Sequence, residues 1–182
     1  MATFDLESIL QLPCGQVSQL YYKHKLIVFN FTVYENPGER GCCYLWTEVD
    51  GGKGSDNIGT CLLEYLRSLP STVSRIDLFS DNCGGQNKNT QIMAMCLYAV
   101  NTTANLKEIQ HTFLKTGHTY PECDSMHAAI EYAKRHVKVH SMEHWEGVIG
   151  MARRKKPYEI TRMNMRAKSK RDPSCHRNCY IP

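Results

Sequence analysis

KLIVFNFTVYENPGERGCCYLWTEV, residues Lys25 to Val49, reads as a β-hairpin. Lys25–Glu35 is rich in Val, Ile, Phe and Tyr, which suit a pleated, half-buried surface, and Asn36-Pro37-Gly38 closes it. Gly41–Val49 returns as a second strand over a connection of hairpin length. Downstream, Asp50-Gly51-Gly52-Lys53-Gly54 makes a turn, and Ser55 or Asp56 caps a helix through Leu69 with Ile58, Leu62, Leu63, Leu66 and Leu69 at helical spacing. Arg75–Ser80 (RIDLFS) is a short buried strand, Thr90–Val100 a helix, Glu108–Leu114 an alternating strand, and Asp124 to about His136 a further helix. Upstream, Ala2–Leu6 fits either a strand ending near Asp5 or a helix start with Asp5 as N-cap. A hairpin followed by alternating helices and strands predicts a mixed α/β sheet with helices packed on it. Tyr158–Met165 has the character of one more strand.

The length of 182 residues suits one domain with an appendage. No apolar run reaches the ~20 residues of a membrane span, so no membrane partner is expected. The acids in MATFDLESIL argue against a secretory leader. Nine cysteines without a CxxC pair fit a reducing compartment, nucleus or cytosol. Residues 1–150 carry 12 Lys and Arg against 16 Asp and Glu, whereas 151–182 carry 10 against 2. That asymmetry divides the chain into a body, 1–150, and a basic extension, 151–182.

Two polar segments carry the candidate chemistry. SDNCGGQNKN (Ser80–Asn89) sets Asp81 just past a strand end, where sites collect in open α/β sheets. Asn82, Gln86, Asn87 and Lys88 surround it with donors and acceptors, and Gly84 and Gly85 allow backbone amides to turn outward. A polar turn with Asp81 capping the next helix is the plainer alternative. GHTYPECDSMHAAIE (Gly117–Glu131) contributes His118 and then Asp124, His127 and Glu131, whose i, i+3, i+7 spacing lines one helix stripe. Two carboxylates and an imidazole suit Mg²⁺ or Mn²⁺, although a solvated helix face gives the same pattern. Arg153, Arg154, Lys155 and Lys156 form a run suited to phosphate contact or nuclear import. Cys175, His176 and Cys179 form half of a zinc pattern without a partner pair, and His136, His140 and His144 repeat every four residues.

With these residues in view, the Ser80-Asp81-Asn82 step after a strand resembles retroviral integrases and DDE transposases of the RNase H-like superfamily. The combination of FDLES, LWTEVDGGKGSDNI, SDNCGGQNKN and FLKTGHTYPECDSMHAAIE is similar to an uncharacterised transposon-associated domain, over roughly residues 3–160. The resemblance implies an RNase H-like mixed five-stranded sheet with helices on both faces. It implies Asp5 as the first-strand carboxylate, Asp81 as the carboxylate after the fourth strand, and Glu131, or else Asp124, as the helix carboxylate, with His127 or His118 assisting. It further implies Mg²⁺ or Mn²⁺, phosphodiester cleavage or strand transfer, nucleic acid (DNA) as partner, met by Asn82, Gln86, Asn87, Lys88, His118, Arg153, Arg154, Lys155 and Lys156, a nuclear location, and a homo-oligomer as one assembly. Two positions depart from the pattern: Cys83 stands where integrases carry glycine, and the strongest strand carries Asn30 rather than Asp. Two alternatives stand beside this reading: a catalytically inactive nucleic-acid- or protein-binding module, and a metallophosphoesterase-like hydrolase.

Overall fold

A computed structural model describes residues 1–14, 25–115, 121–135 and 137–165. The strands are β1 (Ala2–Leu6), β2 (Leu10–Leu12), β3 (Leu26–Glu35), β4 (Arg40–Thr47), β5 (Arg75–Ser80), β6 (Glu108–Phe113) and β7 (Glu159–Arg162). The helices are α1 (Ser55–Arg67), α2 (Thr90–Thr102), α3 (Pro121–Lys134) and α4 (Met142–Met151). All seven strands join one mixed sheet in the order β6-β5-β1-β3-β4-β7, with β2 also on β3. β3 is antiparallel to β1 and β4, while β5 runs parallel to β1 and β6 parallel to β5. The expected α/β architecture is therefore present, with seven strands where five were expected.

Alternation along the strands feeds two layers. Phe29, Phe31, Val33, Cys42, Tyr44 and Trp46 pack with Ile58, Leu62 and Leu66 of α1 and Ile92 and Met95 of α2. On the opposite face, Cys43 and Leu45 pack with Met126 and Ile130 of α3 and Ile149 of α4. Helices thus cover both faces.

Ala2–Leu6 is a strand, not a helix start. Its backbone pairs with β3 from Ala2↔Glu35 to Leu6↔Phe31, and Glu7 N–H still donates to Asn30 O at 3.0 Å. β2 then resumes on the same edge, but Leu10 lies opposite Val28, one residue out of step. That slip is a bulge, and it inverts the parity of the side chains. Phe4 faces α1 and α2, yet Leu10 and Leu12 join Val28, Trp145 and Val148 on the α4 side.

Two further differences from the sequence reading concern the C-terminal third. α4 is a helix that the sequence reading does not contain: Ser141 caps it, its hydroxyl accepting the His144 N–H at 3.3 Å, and it buries Trp145, Val148 and Ile149 at helical spacing. The body does not end at 150: β7 pairs in parallel with β4, and Met163 and Met165 reach the core beneath α1. Apolar residues at 158, 160, 163 and 165 pull the start of the supposed extension into the fold.

Candidate metal centre

Side chains of β1 alternate, so Thr3, Asp5 and Glu7 share the face that α3 covers. α3 lies along this row. Cys123 Sγ is 3.4 Å from Thr3 Oγ1. One helical turn on, His127 Nε2 is 2.8 Å from Thr32 Oγ1, and Thr32 is the β3 partner of Asp5. A further turn on, the charges of Glu131 and Lys134 act on Glu7. The match has a metric cause: four helical residues rise about 6 Å and two strand residues about 6.7 Å. Residues 123, 127 and 131 therefore keep step with 3, 5 and 7.

This lattice brings together Asp5, Asp124 and His127, each offering one ligand atom, all within 4.8 Å of one another. At bonds of about 2.1 Å, opposite ligands of one ion stand about 4.2 Å apart, so small side-chain rotations would close the set. Burial is the main reason that the Asp5 carboxyl is pushed up to about 6; the Leu6 N–H, at 2.8 Å, opposes it, and the negative charges of Asp81 and Asp124 add to it. A cation would relieve all but the hydrogen bond. Burial also holds His127 down to about 4, against the pull of Asp124 and Glu131, so its imidazole is neutral at pH 7 and keeps a lone pair. The donor set fits a divalent ion on both counts.

Asp81, expected among the ligands, stands outside this three-residue group, near enough for its charge to act on Asp5. Thr3 pairs with Phe79 on the parallel strand β5, and two residues further along both strands stand Asp5 and Asp81. Its Oδ1 accepts from Cys83 N–H at 3.1 Å and from Asn87 Nδ2 at 2.5 Å. Asp81 does not cap α2; Asn89 does, accepting from Ile92 N–H at 3.0 Å. Glu131, the other helix carboxylate considered, is bonded to Lys134 and stands one turn beyond the three-residue group.

The residues expected to meet nucleic acid separate. Asn82 and Lys88 are exposed and Gln86 half-buried, with Lys88 Nζ 5.5 Å over the Phe113 ring. Asn87 is 2% exposed and spent on Asp81, so the surface role expected for it is replaced by a supporting one. Arg153 donates to Glu39 O at 3.0 Å, and Lys156 pairs with Glu39 Oε2 at 3.0 Å. Both clasp the β3–β4 turn, at the end of β1 away from Asp5, leaving Arg154 and Lys155 exposed. His140 N–H donates to His144 Nδ1 at 3.3 Å, so those two histidines bond to each other across the start of α4, which Ser141 caps. His118, His136, Cys175, His176 and Cys179 lie outside the described residues.

Three site neighbours were missed in the sequence: Glu7, Asn30 and Thr32. Glu7 is 3% exposed, and Asn30 Nδ2 donates to its Oε2 at 2.7 Å. Burial, outweighing that bond, pushes its carboxyl up to about 7, and the Glu131 charge adds to the rise. Glu7 Oε1 and Asn30 Oδ1 are buried without hydrogen-bond partners among the described residues. Strand parity from Asp5 to Glu7 was the available signal. Thr32, His127 and an acid resemble a nucleophilic triad in composition, but Thr32 is fully buried and its hydroxyl donates to Asp5 O at 3.1 Å. It orients the ring rather than attacking a substrate.

A family model described as "Domain of unknown function (DUF7869)" matches residues 35–171, most of the chain. The chain belongs to this family. The match takes in Asp81, Asp124 and His127 and stops short of Asp5. No curated protein matches the chain, and no solved structure does. No helix among the described residues is long and apolar enough to cross a membrane.

Proposed function

We propose that the chain is a divalent-metal-dependent phosphodiesterase domain of the transposase and integrase kind, built on an RNase H-like core and acting on DNA. The observation that carries this reading is the convergence of Asp124 and His127 on Asp5, a residue of a central strand, with Asp81 just past the end of the adjoining parallel strand. The strand order supports it further. Taking β1, β3, β4, β5 and β6 as first to fifth, the sheet runs third-second-first-fourth-fifth with the second antiparallel and the fourth parallel to the first, as an RNase H-like core requires.

In this reading Asp5 and Asp124 supply oxygen ligands and His127 a nitrogen. An ion held there would supply polarisation of a phosphodiester and a lowered pKa for the attacking water. Asp81, held by Cys83 and Asn87, is fixed at the edge of the group, where its remaining oxygen can orient a nucleophile. Asn82, Gln86 and Lys88 rim the same edge and would meet the phosphate backbone. A DNA substrate places the protein in the nucleus, and pairing of two strand ends would call for a homo-oligomer.

The test is nicking of supercoiled plasmid by the full chain with Mg²⁺ or Mn²⁺. Cleavage that is lost in Asp5→Asn and in Asp124→Asn supports the assignment; no cleavage with either ion, or cleavage untouched by both substitutions, overturns it. One observation favours a second reading, an inactive binding module: Arg154 and Lys155, the exposed part of the basic run, are flanked by Arg153 and Lys156, which hold the run at the β3–β4 turn, away from Asp5. Salt-sensitive DNA binding that needs no metal and survives Asp5→Asn would select it.

A further inference from the structure

Thr32 sits where it decides which nitrogen of His127 is free. The β3 register sets it opposite Asp5, and it is fully buried. Its hydroxyl has a single hydrogen. That hydrogen goes to the Asp5 carbonyl, an acceptor that can take no other role, at 3.1 Å. Toward His127 the same oxygen, 2.8 Å from Nε2, is left as an acceptor. With the hydrogen so placed, the ring carries its proton on Nε2 and its lone pair on Nδ1. Thr is stiff at χ1, so the arrangement is held by a side chain with few alternatives.

Resting on the metal-centre reading above, we propose that Thr32 is a positioning residue that fixes His127 as an Nδ1 ligand and so tilts the centre toward nitrogen-accepting first-row ions, Mn²⁺ and Zn²⁺, over Mg²⁺. The chemistry follows from ligand type. Mg²⁺ takes oxygen ligands and keeps its waters, and gains little from an imidazole. Mn²⁺ and, more strongly, Zn²⁺ gain from each nitrogen donor. A freely flipping or wrongly protonated His127 would leave two carboxylates, a set with no preference for the softer ions. Ligating histidines depend in this way on the partner of their other nitrogen.

Two measurements on the full chain test the proposal apart from any nuclease activity. Nitrogen-15 NMR of the histidines should show His127 as the Nε2–H tautomer, with the Nδ1 resonance alone shifting when Zn²⁺ is added. Mn²⁺ binding followed by EPR, in competition with excess Mg²⁺, should show Mn²⁺ preferred in the wild type. Thr32→Val should weaken Mn²⁺ binding roughly 10- to 100-fold with little change for Mg²⁺, while Thr32→Ser, which keeps the hydroxyl, should bind as the wild type does. Circular dichroism of Thr32→Val checks its fold; where it fails to fold, the wild-type tautomer and Thr32→Ser carry the decision. An Nδ1–H tautomer in the wild type, or equal Mn²⁺ binding by a folded Thr32→Val, overturns the role of Thr32. Absence of Mn²⁺ and Zn²⁺ binding overturns the metal centre and the preference together. Absence of cleavage with every ion, beside normal binding, strikes only the catalytic reading.

Discussion

Replacing Glu7 by Gln should remove a pH dependence from the stability of the fold. Glu7 is buried under α3, and its carboxyl titrates near 7 rather than its usual 4.5, chiefly because burial disfavours the charge. In the unfolded chain the proton leaves near 4.5. Between the two values the native state binds more protons than the unfolded state, so stability falls as pH rises. Below 4.5 both states are protonated and the penalty is absent; above about 7 it is complete. At about 1.4 kcal/mol per pH unit, the interval corresponds to roughly 3 kcal/mol. Gln has the same shape, carries no charge, keeps an oxygen for the Asn30 Nδ2 donor and puts an NH₂ in place of the partnerless Glu7 Oε1. Urea unfolding followed by circular dichroism at pH 4.5 and pH 8 gives the comparison. Wild type and Glu7→Gln should lie within about 1 kcal/mol of each other at pH 4.5, and the variant should be about 3 kcal/mol the more stable at pH 8. Asp5 titrates in a similar window but is present in both proteins and cancels. Parallel stability curves across this range would refute the account of Glu7 as a buried, penalised acid.

Asn89→Ala removes the cap of α2 and should cost about 1 kcal/mol by the same unfolding assay. Gly41→Ala would bring a Cβ to 2.6 Å from Tyr158 Cδ1 and 3.1 Å from Met126 Cε. Tyr158 would have to leave its place between β4 and α3, at a cost of about 1–3 kcal/mol; an unchanged urea midpoint would contradict the packing described there.

The hairpin and the alternating elements after it were legible because their signals are local. β5 spans the residues read from the sequence, and β3 begins one residue later than expected, since a run of β-branched and aromatic residues between turns has few alternatives. What stayed ambiguous was β1. Five residues with one acid at the fourth position serve a strand and a capped helix equally, and only pairing with β3 and β5 decides between them. β2 escaped notice because the bulge breaks the alternation that a strand reading needs. For the candidate site, the helix stripe identified Asp124 and His127, but which stripe members meet β1 depends on tertiary docking that spacing does not encode. Thr32 was hidden for the opposite reason: in a strand so apolar it reads as a tolerated polar residue, and its partner His127 lies 95 positions away. Asn30 stood out only as a departure from Asp, because its partner Glu7 lies 23 positions away.

The step of α3 along β1 works as a vernier. Each step of four helical residues falls short of the strand by about 0.7 Å, so after three matched positions the two scales have drifted by about 1.4 Å. A helix can therefore serve three strand residues and few more, which confines any chemistry here to the span between Thr3 and Glu7. The same scale makes the helix intolerant of length change. One residue inserted between Asp124 and His127 turns everything beyond it by about 100° and lifts the histidine off Thr32.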